Sequence, residues 1–262
     1  KKSYFVLELA LRVDSAGRKR LARDFEFARQ LANATLGTAL GRRTQMQQTP
    51  EWKEACAMPK GKERTEAFLK LARSFGISSA WDFYPIIAEH AKASGLAKEL
   101  NSQIRCALAD NLWRAWEAWL FKGKGKPRFK SASRGLHSLR GKTNTTGIIW
   151  KPENQSVRYG KRHYRVNIPK KDTYAREAIR DGDGWREAKY CAIVRKMIHG
   201  KVKYFVQITF EGNPPEKIIP ASSDVKVGID PSMVNMTLAF SHGAVAKVKT
   251  SPSVESRSKD IR

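Results

Sequence analysis

The sequence predicts an α+β multidomain protein: a small antiparallel, OB-like β-barrel with an inserted α-helical block, followed by a second set of strands. Three observations lead there. An alternating apolar strand opens the chain and is cut off from other strand signals by a long helical stretch. The strands that can pair with it return only after residue 145. A Pro- and Ser-rich segment, 212–224, then separates these from a further alternating run. A lone first strand leaves backbone groups unpaired, which is costly, so its partners are the later strands. The boundaries that follow are 1–14 and 127–222 for the barrel, 15–126 for the helical block and 223–262 for the second strand set. Small barrels of this kind present a face to oligonucleotides.

Taken in order, "YFVLELALRV" at 4–13 puts Phe5, Leu7, Leu9, Leu11 and Val13 on one face, the period-two pattern of a strand with one side in a core. Leu21, Phe25, Leu31, Leu36 and Leu40 take helical spacing, with Asp14 or Ser15 as the cap. Pro50, Pro59 and Gly61 interrupt the pattern, which resumes over 62–75, 79–93 and 101–121, for four or five helices and no strand. Trp113, Trp116 and Trp119 recur every three residues on the last of these. That spacing drifts round a helix, and Leu112 and Leu120 flank it, so it reads as helix packing and not as a stacking platform. Strand signals return at 146–150, 156–159 and 163–168. The strongest hairpin is "YCAIVRKMIHGKVKYFVQITFEG", whose halves alternate around His199-Gly200-Lys201. Beyond the linker stand "VKVGIDPSMVNMTLAF", 225–240, and "GAVAKVK", 243–249.

Charge restricts the function. Among 262 residues, 50 are Lys or Arg and 25 are Asp or Glu, a formal net charge of +25. A foldable chain with this excess of cations meets a polyanion or repels itself, and nucleic acid is the usual one, because each neutralised phosphate releases counterions. No apolar run approaches the ~20 residues of a membrane span, and no signal-peptide pattern opens the chain. Cys56, Cys106 and Cys191 are odd in number, scattered and without a CxxC, so they encode neither a zinc ribbon nor a disulfide framework; they read as free thiols of a reducing cytoplasm. The five histidines lack metal spacing, and no Walker-type glycine loop supports nucleotide hydrolysis. The chain opens "KKSYF" without a methionine and stops at "SRSKDIR" in what reads as a new helix, as expected of part of a longer protein.

From Ala118 to Pro152 there are nine Lys or Arg and no acid, with Phe121, Phe129, His137 and Trp150 interspersed. Cations fix phosphates while flat side chains stack bases. The candidates for nucleic-acid contact are Lys124, Lys126, Arg128, Lys130, Arg134, Arg140 and Lys142. A second cluster, Arg158, Lys161, Arg162 and Arg165, sits on a predicted hairpin and is expected to line the same surface. Asp230 admits two readings. Before Pro231 it is a good opener of a type I turn. At the end of the strand VKVGI, with Gly228 leaving room, it is also placed where a carboxylate can reach a divalent cation. Two-metal hydrolysis of a phosphodiester needs several carboxylates, so Asp230 alone does not suffice.

The stretches "KPRFKS" (126–131), "YGKRHYRVNIPKK" (159–171), "VRKMIHGKVKYFVQITFE" (194–211) and "VGIDPSMVNMTLAFSHGAV" (227–245) occur in the order seen in transposon-encoded TnpB proteins. The chain resembles that family and the compact type V CRISPR effectors descended from it, most strongly from 126 to 246. The resemblance implies a wedge barrel, an inserted helical recognition lobe and the start of a RuvC-like nuclease domain of RNase H-like fold. It implies an RNA-guided DNA endonuclease of the prokaryotic cytoplasm: a guide RNA held across barrel and nuclease domain, double-stranded target DNA selected by base pairing, and helices near the barrel reading a short flanking motif. Asp230 is then the first RuvC carboxylate, a catalytic residue and a ligand of Mg²⁺. The family's second and third acids follow a helix like the one beginning near Ser253, past this chain; Glu255 and Asp260 fall in that helix and are not assigned. Ser232 replaces a glycine common after the aspartate, and the family's zinc-binding cysteines are absent. Two alternatives stay open: a nuclease-inactive RNA-guided DNA binder or repressor on the same scaffold, and a structural RNA-binding protein that uses the barrel alone.

Overall fold

Strand β1 (Tyr4–Arg12) buries Phe5, Leu7, Leu9 and Leu11 and turns Tyr4, Val6 and Glu8 outward, as its alternation demands. The structure, a computed structural model, describes residues 2–216, 227–231, 235–240 and 245–249. The chain forms two compact units, Lys1–Pro215 and Glu216–Arg262.

In the first unit, β1 passes directly into α1 (Ser15–Gln47), which Asp14 caps by accepting a hydrogen bond from the Gly17 backbone at 2.7 Å. A side chain at position 17 has no room: a Cβ there would lie 2.6 Å from Asp14 Oδ1 and 2.8 Å from the Tyr164 ring. Leu21, Phe25, Ala28, Leu31, Ala32, Leu36 and Ala39 form the buried stripe of α1. The segment after Pro50 is not a break. Pro50 occupies the first turn of α2 (Pro50–Ala57), where its missing N–H is harmless, and Thr49 supplies the cap. Helices α3 (Lys62–Ser74), α4 (Ala80–Ala93) and α5 (Ser102–Phe121) lie within a residue or two of the predicted spans. Asp82 holds the start of α4 by accepting from the Ser78 and Ser79 backbones at 2.6 and 2.9 Å; Asn101 caps α5. Trp116 is fully buried on α5, edge-on to Phe83 and Trp119, so the tryptophan triplet packs helices as its spacing predicts.

The remaining elements are β2 (Ser138–Arg140), β3 (Ile148–Lys151), β4 (Ser156–Tyr159), β5 (Arg162–Asn167), α6 (Thr173–Ala178), β6 (Arg180–Asp181), β7 (Gly184–Trp185), β8 (Ala188–Ile198) and β9 (Lys201–Glu211). Seven of the strands form one antiparallel sheet in the order β2-β8-β9-β1-β5-β4-β3, and β6 pairs with β7. The first strand therefore sits at the centre of the sheet and finds its partners 150 to 210 residues away: Leu9 faces Val206, and Leu11 faces Val166. The β8–β9 loop is His199-Gly200, both residues left-handed at φ 49° and 71°. This is the backbone of a two-residue hairpin turn whose twist matches its strands. The Phe25 ring of α1 packs on Tyr204 of β9, so the helices and the sheet share one core.

The closed barrel expected from the sequence is not what forms. The sheet is open, with β2 and β3 as its hydrogen-bonded edges, although β3 lies beside β8. Side chains of the polar loop 141–147 fill the seam in place of a ladder. Asn144 Oδ1 accepts from the Trp150 backbone at 2.7 Å and lies 3.5 Å from Cys191 Sγ, and the Gly141 N–H bonds the Cys191 carbonyl at 2.9 Å. One asparagine side chain thus bridges the β3 edge and β8, where no ladder forms between them. Cys191 is enclosed there, and burial pushes its thiol up to about 12.

In the second unit, β10 (Val227–Pro231), β11 (Asn235–Phe240) and β12 (Val245–Lys249) form an antiparallel sheet in that order. Asp230 pairs with Thr237, and Pro231 with Met236. Asp230 is therefore a ladder position next to the end of its strand. The linker expected at 212–224 lies largely outside the described residues, as do Ser232 and the helix expected from Ser253 with Glu255 and Asp260. No helix among the described residues is long and apolar enough to cross a membrane.

Candidate nucleic-acid interface

A cleft of about 850 Å³ opens in the first unit between the β4–β5 hairpin, the loop before α5 and the loop before β3. Arg158, Lys161 and Arg162 reach it from the hairpin, Arg20 and Arg105 from helices α1 and α5, and Lys98 from the loop before α5. Its one acid, Glu99, is already engaged: it pairs with Arg23 at 2.9 Å and Arg20 at 3.6 Å. Lys98, Arg105, Arg158 and Lys161 have no acidic partner among the described residues, and Arg162 has only Asp14 at 3.9 Å. The Nε–H of Arg105 is buried without an acceptor. The amino end of the 20-residue helix α5 also borders the cleft, adding the positive end of its dipole.

Local conformation builds this site. Gly147, at φ 82°, lets its loop run close over Asn101 at the start of α5. Gly160, at φ 60°, turns the β4–β5 hairpin so that Lys161 and Arg162 follow directly. Beneath them Asp24 is fully buried and takes Arg20 Nε at 3.1 Å, which orients that guanidinium. Burial raises the Asp24 carboxyl above the usual carboxylate range despite the neighbouring Tyr159, Arg20 and Arg23. Burial and Asp24 likewise push the Tyr159 hydroxyl up.

The candidates from the acid-free segment divide into three groups. Lys124, Lys126, Arg128 and Lys130 lie exposed on an extended stretch after α5. Its backbone is tied to α1 at Lys130: Asn33 accepts from the Lys130 N–H at 2.8 Å, while Asn33 and Arg29 donate to its carbonyl at 2.9 and 3.0 Å. Phe129, 57% exposed, stands beside those cations. Arg134 is exposed, with its carbonyl accepting from Arg195 at 3.1 Å. Arg140 and Lys142 differ, because both turn to Asp110 on α5, at 3.8 and 3.3 Å. Tyr84 completes that knot, donating to Asp110 at 2.5 Å and accepting from Lys142 at 2.8 Å. The hydrogen bond to Tyr84 holds the Lys142 ammonium above its usual range. From the hairpin cluster, Arg165 is exposed on β5 but does not line the cleft.

Arg20, Lys98 and Arg105 were not foreseen as site residues. They stand outside the acid-free segment, and no local signal marks them; only the meeting of α1, α5 and the loop before α5 with the β4–β5 hairpin brings them in. Asp230 is placed by its backbone alone. Among the described residues there is no group of three or more His, Cys, Asp or Glu able to hold a metal ion. The described residues therefore do not by themselves build a two-metal centre.

No family model and no curated protein matches the chain. Solved structures that resemble it loosely include two cryo-EM complexes. A cryo-EM structure of a CRISPR-Cas12f ternary complex aligns at 11% identity and a TM-score of 0.35, over 95% of this chain and 54% of that one. A cryo-EM structure of a Cas12f1–sgRNA–target DNA complex aligns at 11% identity and a TM-score of 0.32, over 99% of this chain and 68% of that one. The chain thus spans about half the length of the first.

Proposed function

We propose that this chain grips nucleic acid by its phosphate backbone, as part of an RNA-guided protein that binds a double-stranded DNA target chosen by base pairing. The observation that carries the reading is the cleft, where four cations without acidic partners converge with Arg20 and Arg162 around a single, already paired carboxylate. Lys98, Arg158 and Lys161 are exposed and Arg105 is half-buried, so their charges converge at an accessible surface, where a phosphate chain meets them repeatedly and releases its counterions. The exposed cations of 124–134 offer a further basic stretch to a phosphate backbone. The guided mode of action rests on the order of the sequence stretches shared with TnpB proteins and compact type V effectors. In such a protein base pairing reads the sequence, and the polypeptide holds the backbone.

On the same reading, residues 1–14 and 127–222 act as the wedge, 15–126 as the recognition lobe and 223–262 as the beginning of a RuvC-like nuclease. Asp230, at a strand's end, then acts as the first of several carboxylates for Mg²⁺, whose bound form would polarise the scissile phosphate; this chain's own part is to present one carboxylate from β10. The test is to purify the full-length protein from its host and sequence the RNA that travels with it. A short RNA with a constant scaffold and a variable end is expected; RNA-free protein would overturn the reading. Asp230→Ala is expected to abolish DNA cleavage while leaving RNA and DNA affinity within about twofold, and equal loss of binding would count against the metal role.

A further inference from the structure

Strand β1 changes partners along its length. It pairs with β9 over Tyr4–Ala10 and with β5 over Ala10–Arg12. Beyond the Ala10–Phe205 pair, β9 runs on to its hairpin turn against β8 alone. A notch of about 680 Å³ opens where β1 and β9 part, and Arg12, Asp14, Arg18, Asn167, Lys201 and Lys203 help to line it. Its four cations are exposed, and none has an acidic partner among the described residues. Two of them are held in place: Arg12 Nη2 donates to Asn167 Oδ1 at 3.0 Å, and Arg18 Nε donates to the Val13 carbonyl at 3.2 Å. Each guanidinium is thus anchored by one N–H and keeps the rest of its fork for another acceptor. The one acid of the notch, Asp14, caps α1 and stands 3.9 Å from Arg162 of the cleft, so the two hollows adjoin.

The strand register here sets like charges against each other. Arg12 lies directly opposite Arg165, and Lys203 opposite Lys196, pairings that repel across a sheet. Glu8 neutralises Lys196, whereas Arg12, Arg165 and Lys203 have no such relief among the described residues. Arg165 shares its face of the sheet with His163, whose partner on β4 is Arg158. A stripe of cations therefore crosses one face from Lys203 through Arg12 and Arg165 to Arg158, which lines the cleft.

We infer that the notch is a second phosphate-binding site, and that a nucleic-acid strand held in the cleft continues past Arg162 and Arg165 into it. This rests on the nucleic-acid reading above and adds the course of the strand beyond the cleft. Opposed cations cost the sheet stability, and anions laid between them offset that cost. A phosphate chain brings one at every nucleotide and releases its counterions as it binds. A short acidic segment of a protein would meet the charges of the notch alone, but the cations run on from notch to cleft, as a continuous polyanion requires.

The experiment measures the affinity of the full chain for oligo(dT) of about 6 and about 20 nucleotides as salt is varied, one strand within and one beyond the ~4–16 nucleotides that a single small fold covers. Arg12→Gln/Arg18→Gln/Lys203→Gln is expected to make the long strand's slope of log affinity against log salt shallower by about 2, at about 0.7 per lost contact. Affinity for the long strand should fall on the order of tenfold or more, and for the short strand, which the cleft holds alone, by less than about twofold. The melting temperature should equal or exceed that of wild type, because repulsion is removed. An unchanged slope on the long strand would show that the notch holds no phosphate, while the cleft reading stands. Equal losses on both strands would show that the notch does not prolong the cleft, and the inference fails. It fails too if poly-glutamate binds the notch as tightly as the long strand, which would mark a site for an acidic protein. If neither strand binds wild type, the inference falls together with the function proposed above. Should the triple variant fail to fold, Lys203→Gln alone decides, by a slope change of about 0.7 on the long strand.

Discussion

Two basic regions of this protein look alike in sequence and differ in what their charges do. At the seam of the sheet, Arg140 and Lys142 share Asp110, and Tyr84 closes the group. In the cleft, Lys98, Arg105, Arg158 and Lys161 face one another around an acid that Arg20 and Arg23 already occupy. The first set joins α5 to β2 and the loop after it, and the one carboxylate offsets half of its positive charge. The second set keeps its charge for something outside the chain. A cation becomes a staple or a ligand according to the nearest carboxylate in space, and Asp110 lies some 30 positions before the lysine it holds. A charge run is thus not a single surface.

The contrast can be broken or sharpened by substitution. The largest effect is expected from reversing the cleft: Arg158→Glu with Lys161→Glu should lower affinity for a short nucleic-acid duplex at least a hundredfold at moderate salt, measured by fluorescence anisotropy, because several phosphate contacts vanish and repulsion replaces them. Thermal stability should hardly move. Asp110→Ala should do the reverse. Leaving Arg140, Lys142 and Tyr84 without their shared acceptor should destabilise the fold by about 1–3 kcal/mol, read as a drop in melting temperature, with nucleic-acid affinity within about twofold of wild type. A substantial loss of affinity there would mean that the seam is itself part of the binding surface. The smallest effect belongs to an exposed staple, Glu8, which accepts from Lys196 and from Gln207 at 2.9 Å. Burial opposes its ionisation, but these donors outweigh it and hold its carboxyl below the usual range. A depressed folded value stabilises the protein above the ordinary glutamate range of about 4.3 and loses that stabilisation as pH falls through the lower value. Glu8→Gln is therefore expected to destabilise by less than about 1 kcal/mol at neutral pH, with the difference from wild type closing in acid.

Local patterns made most of the fold legible. The alternation of Phe5 to Leu11, the helical spacing from Leu21 onward, the caps at Asp14 and Asn101 and the turn at His199-Gly200 each act within a few residues, and each forms where its pattern lies. Pro50 misled because a proline that ends one helix also suits the first turn of the next. The barrel failed to close for a reason no periodicity encodes: Asn144 satisfies the Trp150 edge with a side chain. The site was legible by halves. Arg158, Lys161 and Arg162 stand on a recognisable hairpin, whereas Lys98 and Arg105 owe their place to packing between distant elements. The same distance concealed the pairing of Arg140 and Lys142.

The most direct test is the slope of log affinity against log salt concentration for three proteins: wild type, the cleft variant Arg158→Ala/Lys161→Ala/Arg162→Ala, and the seam variant Arg140→Ala/Lys142→Ala. Each lost phosphate contact removes about 0.9 from the slope on duplex DNA and about 0.7 on a single strand. A cleft that grips the backbone predicts a slope shallower by roughly 2–3 for the cleft variant and unchanged for the seam variant. A cleft variant whose slope matches wild type would show that the phosphates lie elsewhere.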